Sequence, residues 1–277
     1  MLRERPVDLQ LGLARVMSVS LFQGTAEFYR QFRSGLPADA ATILLEAAPD
    51  RRPRSLLDIG TGTGFVIEAL SGGVDDVIGI DVDADLLAVG RRRVEPRPGQ
   101  RLVFVQVRAE DFTPPTGWTA DPVTICRTFH WLDRPLVLDR LDSIVAPDGV
   151  VAILGDNSIW ADNAGWKSEI KTILAEFLGE DRRAGSGTYQ RPAPYTDDLD
   201  ASVFSDWEQI KVPVRRERSL NSVIGYLQST SFAATHLFGD RLAKFDDALR
   251  ERLPPFAVNG VFIDSNEFGI LLCRRPR

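Results

Sequence analysis

The chain has 277 residues, an apolar share of 44%, a charged share of 26% and a net charge of −6 at pH 7. That length allows one large domain or two small ones, and it buries enough surface to need no disulfide or metal staple. The acidic balance argues against holding nucleic acid or an anionic membrane through bulk charge, and no apolar run approaches a membrane-spanning length.

The first residues lack the apolar stretch of a secretory signal. Residues 25–34 read as a helix with Phe28, Tyr29 and Phe32 at helical spacing. A second helix over 38–48 stops at Pro49. Five strand-like runs then alternate with helices: 55–60, 76–81, 102–107, 122–126 and 149–154, with helices over 64–71, 84–94 and 134–146. Arg91, Arg92 and Arg93 read as a solvated last helical turn facing the helix dipole. Strands alternating with helices predict a parallel sheet covered on both faces.

After residue 155 the alternation stops. Residues 163–178 look like an amphipathic helix. Residues 179–197, rich in Gly, Pro and Arg, read as a mobile loop. Residues 208–218 alternate like a strand, helices follow at 221–231 and 240–252, and 267–273 reads as a closing strand. No linker is evident. The expected layout is one α/β domain over 1–277. It has an N-terminal helical cap (1–50), a ligand-binding core (51–156), an acceptor loop and lid (157–260) and a closing segment (261–277).

Cys126 and Cys273 lie in apolar strand-like runs and have no zinc-ligand spacing, so free buried thiols of a cytoplasmic protein are expected. His130 and His236 are too far apart in sequence to suggest a metal site, and none is expected. All but four of the basic residues are arginine, a bias of GC-rich bacterial genomes.

The strongest signal is the run Leu56-Leu57-Asp58-Ile59-Gly60-Thr61-Gly62-Thr63-Gly64 between the first strand and the next helix. Glycines there let the backbone pass close to a ligand, and the helix start suits an anionic group. The spacing is G-x-G-x-G, whereas the dinucleotide fingerprint G-x-G-x-x-G would need glycine where Phe65 or Ile67 stands. Asp81 ends the second strand, where a carboxylate accepts ribose hydroxyls, and Glu110-Asp111 follows the third.

Asp58 to Gly64, Gly79-Ile80-Asp81 and Arg108-Ala109-Glu110-Asp111 resemble the cofactor motifs of class I S-adenosylmethionine-dependent methyltransferases. Phe129-His130-Trp131-Leu132-Asp133 and Val145-Ala146-Pro147-Asp148-Gly149 narrow the resemblance to methyltransferase domain 11, the small-molecule group related to ubiquinone/menaquinone and trans-aconitate methyltransferases. Residues 27–37 resemble that group's cap, and the likeness is good over 25–155.

The resemblance implies a Rossmann-like, seven-stranded, mostly parallel sheet with an antiparallel last strand. It also implies S-adenosyl-L-methionine as methyl donor, S-adenosyl-L-homocysteine as product, and a small-molecule acceptor. It assigns Gly60, Thr61, Gly62 and Gly64 to the methionine end of the donor, Asp58 to the loop or the donor's amino group, and Asp81 with Val82 to the ribose side. Ala109 would meet the adenine through its backbone amide. Tyr29 and Arg33 would approach the methionine carboxylate, and Arg127 and Phe129 would belong to the same shell. Arg108 replaces an acid common in that group, so Glu110 or a backbone carbonyl would take over the adenine amino group.

His130, Trp131, Asp156, Asn157, Trp160 and His236 are the candidates for the acceptor side. His130 is read either as a general base or, more in keeping with a pattern shared across different acceptors, as a packing residue. Aromatic residues of the later part of the chain (Trp160, Trp166, Tyr189, Tyr195, Tyr226, Phe232, Phe238) would line the acceptor space or form the lid's core. The expected setting is secondary-metabolite tailoring, quinone chemistry or small-acid esterification, by a monomer or homodimer. Three other readings stand beside this one: a dinucleotide-dependent oxidoreductase, a noncatalytic S-adenosylmethionine/S-adenosylhomocysteine-binding module, and an RNA or protein methyltransferase. The last lacks a basic groove and the Asn/Asp-Pro-Pro-aromatic tetrad after the fourth strand, where Arg127-Thr128-Phe129-His130 stands instead.

Overall fold

A computed structural model describes residues 26–156, 159–161, 165–181, 183–184, 187–188 and 193–277. The cap begins with α1 (Ala26–Phe32) and α2 (Ala38–Ala47). The alternating part follows as β1 (Ser55–Ile59), α3 (Phe65–Leu70), β2 (Asp76–Asp81), α4 (Ala84–Arg93), β3 (Arg101–Gln106), β4 (Ala120–Cys126), α5 (Arg134–Ile144) and β5 (Val145–Asp156). Then come α6 (Gly165–Leu178), a short hairpin of β6 (Arg183–Ala184) and β7 (Gly187–Thr188), α7 (Tyr195–Asp200), β8 (Asp206–Arg218), α8 (Leu220–Gln228), α9 (Leu242–Arg252) and β9 (Phe262–Arg274).

Seven strands form one sheet in the order β3-β2-β1-β4-β5-β9-β8. β1 to β5 are mutually parallel, and β9 runs antiparallel to both β5 and β8. The carboxyl ends of the five parallel strands therefore lie along one edge, where ligands of open α/β sheets bind. The local reasons are chemical. Asp83 accepts the amides of Asp85 and Leu86 and so starts α4, and Asp133 accepts the amide of Leu136 and starts α5.

One sheet face is covered by α2 and α3, with Leu44, Val66, Ile67 and Leu70 packed on Leu56, Val77, Ala152 and Phe268. The other is covered by α5, with Val137, Leu138 and Leu141 on Ile59, Ile125 and Ile153. A third core joins α6, α8 and α9 through Ile170, Val223, Leu227, Phe245 and Leu249. Trp166, Phe232 and Phe238 belong to it, so these aromatics are core.

Several expected boundaries shift. β5 starts at Val145, and the Pro147-Asp148-Gly149 turn survives as an irregularity inside it: Ala120 faces Val145 while Pro122 faces Val150. β9 starts at Phe262 rather than at 267, because polar Asp264 and Asn266 interrupt the apolar alternation. The expected loop over 179–197 contains the β6–β7 hairpin and the start of α7. Tyr189, much of that loop and the first 25 residues lie outside the described residues.

Candidate active site

The loop after β1 is held against β2. The amides of Gly60 and Thr61 donate to the Ile80 carbonyl, Gly62 donates to Asp81 Oδ2 at 2.8 Å, and Gly64 donates to the Thr61 carbonyl. These four amides are spent internally, so the amides expected to face an anion would have to come from Thr63 and the first turn of α3. The loop offers close approach. Gly60, Gly62 and Gly64 all have positive φ. A Cβ at Gly60 would overlap Thr128, and one at Gly64 would overlap Val94, whereas the nearest atom to a Cβ at Gly62 is Leu86 Cδ1 at 4.0 Å. Gly60 and Gly64 are glycine for packing, and Gly62 faces open space.

Asp81 accepts from Gly62 on one oxygen and from the Asp83 amide on the other. Burial pushes its carboxyl up, opposed by those amides. Next to it, Val82 is 54% exposed, an apolar surface at the sheet edge. Asp58 is fully buried, and its Oδ1 accepts the Thr124 hydroxyl at 2.7 Å. Its Oδ2 and the hydroxyls of Thr61 and Thr63 are buried without a hydrogen-bond partner among the described residues. Burial raises the Asp58 carboxyl to about 6, opposed by the Thr61 hydroxyl, which stands near it without meeting hydrogen-bond geometry, and by the Thr124 hydrogen bond. Orphaned buried oxygens beside an open glycine fit a ligand that brings a donor or cation. The described residues thus suit the donor implied above: a carboxylate for ribose hydroxyls, an unpaired carboxylate oxygen for an ammonium, and Val82 for a ring.

The cap closes one side. Tyr29 packs against Leu86 and Val89 of α4 and lies 6.3 Å from the Phe65 ring. Arg33 donates to the Ser229 hydroxyl at 3.1 Å and stands over the rings of Tyr29 and Tyr226. A Cβ at Gly225 of α8 would overlap the Phe32 ring, so that glycine sets the contact between α1 and α8.

Other predicted residues divide. Ala109 opens a single 3-10 turn (Ala109–Asp111) and also packs on the core. Glu110 is buried; it accepts the Asp133 amide at 3.0 Å and pairs with Arg108 at 3.4 Å. Its carboxylate is a strut between the end of β3 and the start of α5. Phe129 is 1% exposed and packs edge-on to Tyr195. Its assignment to the donor's shell is corrected: the 3-10 turn Phe129–Trp131 directs it into the α5-side core. The same turn leaves His130 and Trp131 exposed, their rings 4.6 Å apart. His236 is exposed in the turn Thr235–Leu237, outside the third core that Phe232 and Phe238 join. Trp160 lies edge-on to Phe232 at the margin of the third core. Asn157 lies outside the described residues.

Arg127 and Asp156 were expected separately, and the fold joins them. Arg127 has φ +57°, donates to Asp156 at 2.7 Å, and also donates to the Ser34 carbonyl of the cap. Burial alone would raise Asp156, but Arg127, Arg33 and Arg216 hold its carboxyl well below the usual range. The sequence reading missed Arg216, Arg218, Asp264 and Lys167, which continue this network. Arg218 bonds Asp264 at 2.8 Å, and Lys167 pairs with Asp264 at 2.9 Å. The available signal was Arg216 and Arg218 two apart in a strand, hence on one face. Both thiols are pushed up by burial, Cys126 to about 11 and Cys273 to about 12, which leaves them unreactive.

Residues 56–149 match the family model described as a methyltransferase domain. The chain is 26% identical over 182 residues to the uncharacterized methyltransferase Rv3342 of Mycobacterium tuberculosis, covering 66% of this chain and 68% of the relative. It is 31% identical over 114 residues to the demethylmenaquinone methyltransferase of Thermus thermophilus, covering 40% of this chain and 50% of that one. In fold it is similar to the YcgJ protein of Bacillus subtilis, with a TM-score of 0.53 at 15% identity over 87% of this chain and 100% of the other. No helix among the described residues is long and apolar enough to cross a membrane. The sheet order, the glycine loop with Asp81 at its side and the matched segment agree: residues 56–149 carry a methyltransferase domain of the class I, S-adenosylmethionine-dependent kind.

Proposed function

We propose that this chain binds S-adenosyl-L-methionine at the Gly62–Asp81 edge and methylates a small-molecule acceptor beneath the segment 157–260. The observation that carries the reading is Asp58 Oδ2, a buried carboxylate oxygen without a hydrogen-bond partner among the described residues, beside a glycine whose open side faces no protein atom closer than Leu86. When bound, the donor supplies a methyl group on a sulfonium centre. The protein's own work is to hold and align. Asp81 would accept the ribose hydroxyls while keeping Gly62 in place, Asp58 would take the ammonium, and the α1–α4 contact would close the side.

Neither histidine is buried in the network around Asp156, so we assign no general base. A small acceptor is supported by the packed α6–α8–α9 core over that side and by the menaquinone-precursor substrate named for one relative. Calorimetric titration with S-adenosylhomocysteine and with NAD tests the reading. Binding of the former alone is expected; binding of NAD with no response to S-adenosylhomocysteine would replace it with the oxidoreductase reading.

A further inference from the structure

β8 and β9 run on past the end of β5. β9 pairs with β5 only from Phe268 to Cys273, and residues 262–267 pair with β8 alone. One face of this extension carries Arg216 and Arg218 on β8 and Asp264 on β9. Lys167 of α6 reaches Asp264, Arg127 and Asp156 adjoin from β4 and β5, and Arg33 comes from the cap. The Tyr226 ring lies between the two halves, 5.2 Å from the Arg33 guanidinium and 4.7 Å from that of Arg218. Among the described residues, five cations thus gather around two carboxylates, Asp156 and Asp264. The neighbouring charges Arg215 and Glu217 pair with each other on the opposite, exposed face, as Lys211 does with Glu267.

Most of the cluster is shielded from water. Side-chain exposure is 6% for Arg218, 3% for Lys167, 14% for Arg127 and 16% for Arg216. Removing uncompensated cations from water is costly, and an anion that enters among them relieves that cost. Among the four cations paired with these carboxylates, Arg216 has the longest contact. It reaches Asp156 only at 3.5 Å, and its remaining donors have no partner among the described residues. Burial, with Arg218 and Arg127 near it, holds its guanidinium below the ordinary value despite Asp156 and Asp264, the latter directly opposite it on β9.

The position matters as much as the charge. Arg127 is next in sequence to Thr128, which packs on Gly60, so the cluster lies within a strand or two of the glycine loop. S-adenosylmethionine carries two cationic centres and one carboxylate, so its binding adds to the excess. Resting on the methyltransferase reading above, we infer that the acceptor is an anionic small molecule and that Arg216, backed by Arg218 and Arg127, holds its carboxylate or phosphate group.

The test titrates succinate, inorganic phosphate and the neutral succinamide into the full chain, with and without saturating S-adenosylhomocysteine, and follows thermal unfolding. Succinate or phosphate should give a saturable rise, succinamide none, and the responding anion identifies the source. Arg216→Gln should weaken that response at least about tenfold while S-adenosylhomocysteine affinity stays within about twofold. Arg216→Lys should retain part of the response, and Lys211→Gln, on the exposed face, all of it. The inference is overturned if neither anion gives a saturable response in the parent, if succinamide matches succinate, or if Arg216→Gln responds as the parent does. Failure of S-adenosylhomocysteine to bind the parent would instead strike the methyltransferase reading.

Discussion

Gly62→Ala separates ligand approach from folding. Gly62 has φ +54°, and a Cβ there meets only Leu86 Cδ1 at 4.0 Å, so the folding cost is the left-handed backbone alone. For an L-residue that is about 1–2 kcal/mol. At about 2–4 °C per kcal/mol for a chain near this size, the variant should melt about 2–8 °C below the parent. The added methyl stands on the open side of the loop that Asp81 holds, and S-adenosylhomocysteine affinity should fall at least about tenfold, ~1.4 kcal/mol. Gly60→Ala behaves differently. It carries the same backbone cost, and its Cβ runs into Thr128, adding an overpacking cost of about 1–3 kcal/mol. Scanning calorimetry and ligand titration on the pair give both quantities. If Gly62→Ala binds S-adenosylhomocysteine as the parent does, or melts as low as Gly60→Ala, the assignment of Gly62 to the ligand side is wrong.

Asp58→Asn should produce opposite changes in stability and binding. The folded carboxyl titrates at about 6, above its unfolded value, so its contribution is most favourable below about pH 4 and declines as pH rises to about 6. Relative to the parent, the variant should gain stability over that window, by at most about 3 kcal/mol above it, while binding S-adenosylhomocysteine more weakly. Urea unfolding at several pH values reads the first effect, and a pH-independent difference would contradict it. Gly225→Val should push Phe32 off α8 and speed amide exchange in α1; unchanged exchange over residues 26–33 would show that Gly225 does not set the α1–α8 contact. His130→Ala should leave S-adenosylhomocysteine affinity within about twofold, because the ring is exposed. Once an acceptor is identified, a turnover loss of about 10²–10⁴ in that variant would mark His130 as a base after all.

The parallel strands were legible because each is a short apolar run closed by a turn, and the glycine loop because φ values of +54° to +83° favour glycine there. Asp81 was readable because the ladder places β2 beside β1 whatever the side chains. What escaped is the buried charge. Arg216 and Arg218 continue the inward face of Ile210, Val212 and Val214, and Asp264 that of Phe268, Ile270 and Leu272, but their side-chain types read as solvent-facing, and only the fold shows that α6 and α8 cover them together with Lys167. The same masking hid the first half of β9, where Asp264 sits in a core position. Phe129 misled for the opposite reason: a 3-10 turn rotates successive side chains so that neighbours of an exposed histidine point inward.

The extension of β8 and β9 beyond β5 is a ribbon of two strands, six residues long and about 20 Å by strand rise. Ribbons of two strands twist more readily than sheets. This one is clamped at one end by β5, and its free end feeds α8 and α9. Its twist sets the direction in which Arg216 and Arg218 face Asp156, while the β1–β2 pairing that fixes Gly62 and Asp81 lies four strands away. The segment 219–261 reaches the donor side by the other route, through the cap, where Gly225 packs on Phe32 and Ser229 accepts from Arg33, so a change of acceptor surface there is felt at α1 before it is felt at the glycine loop.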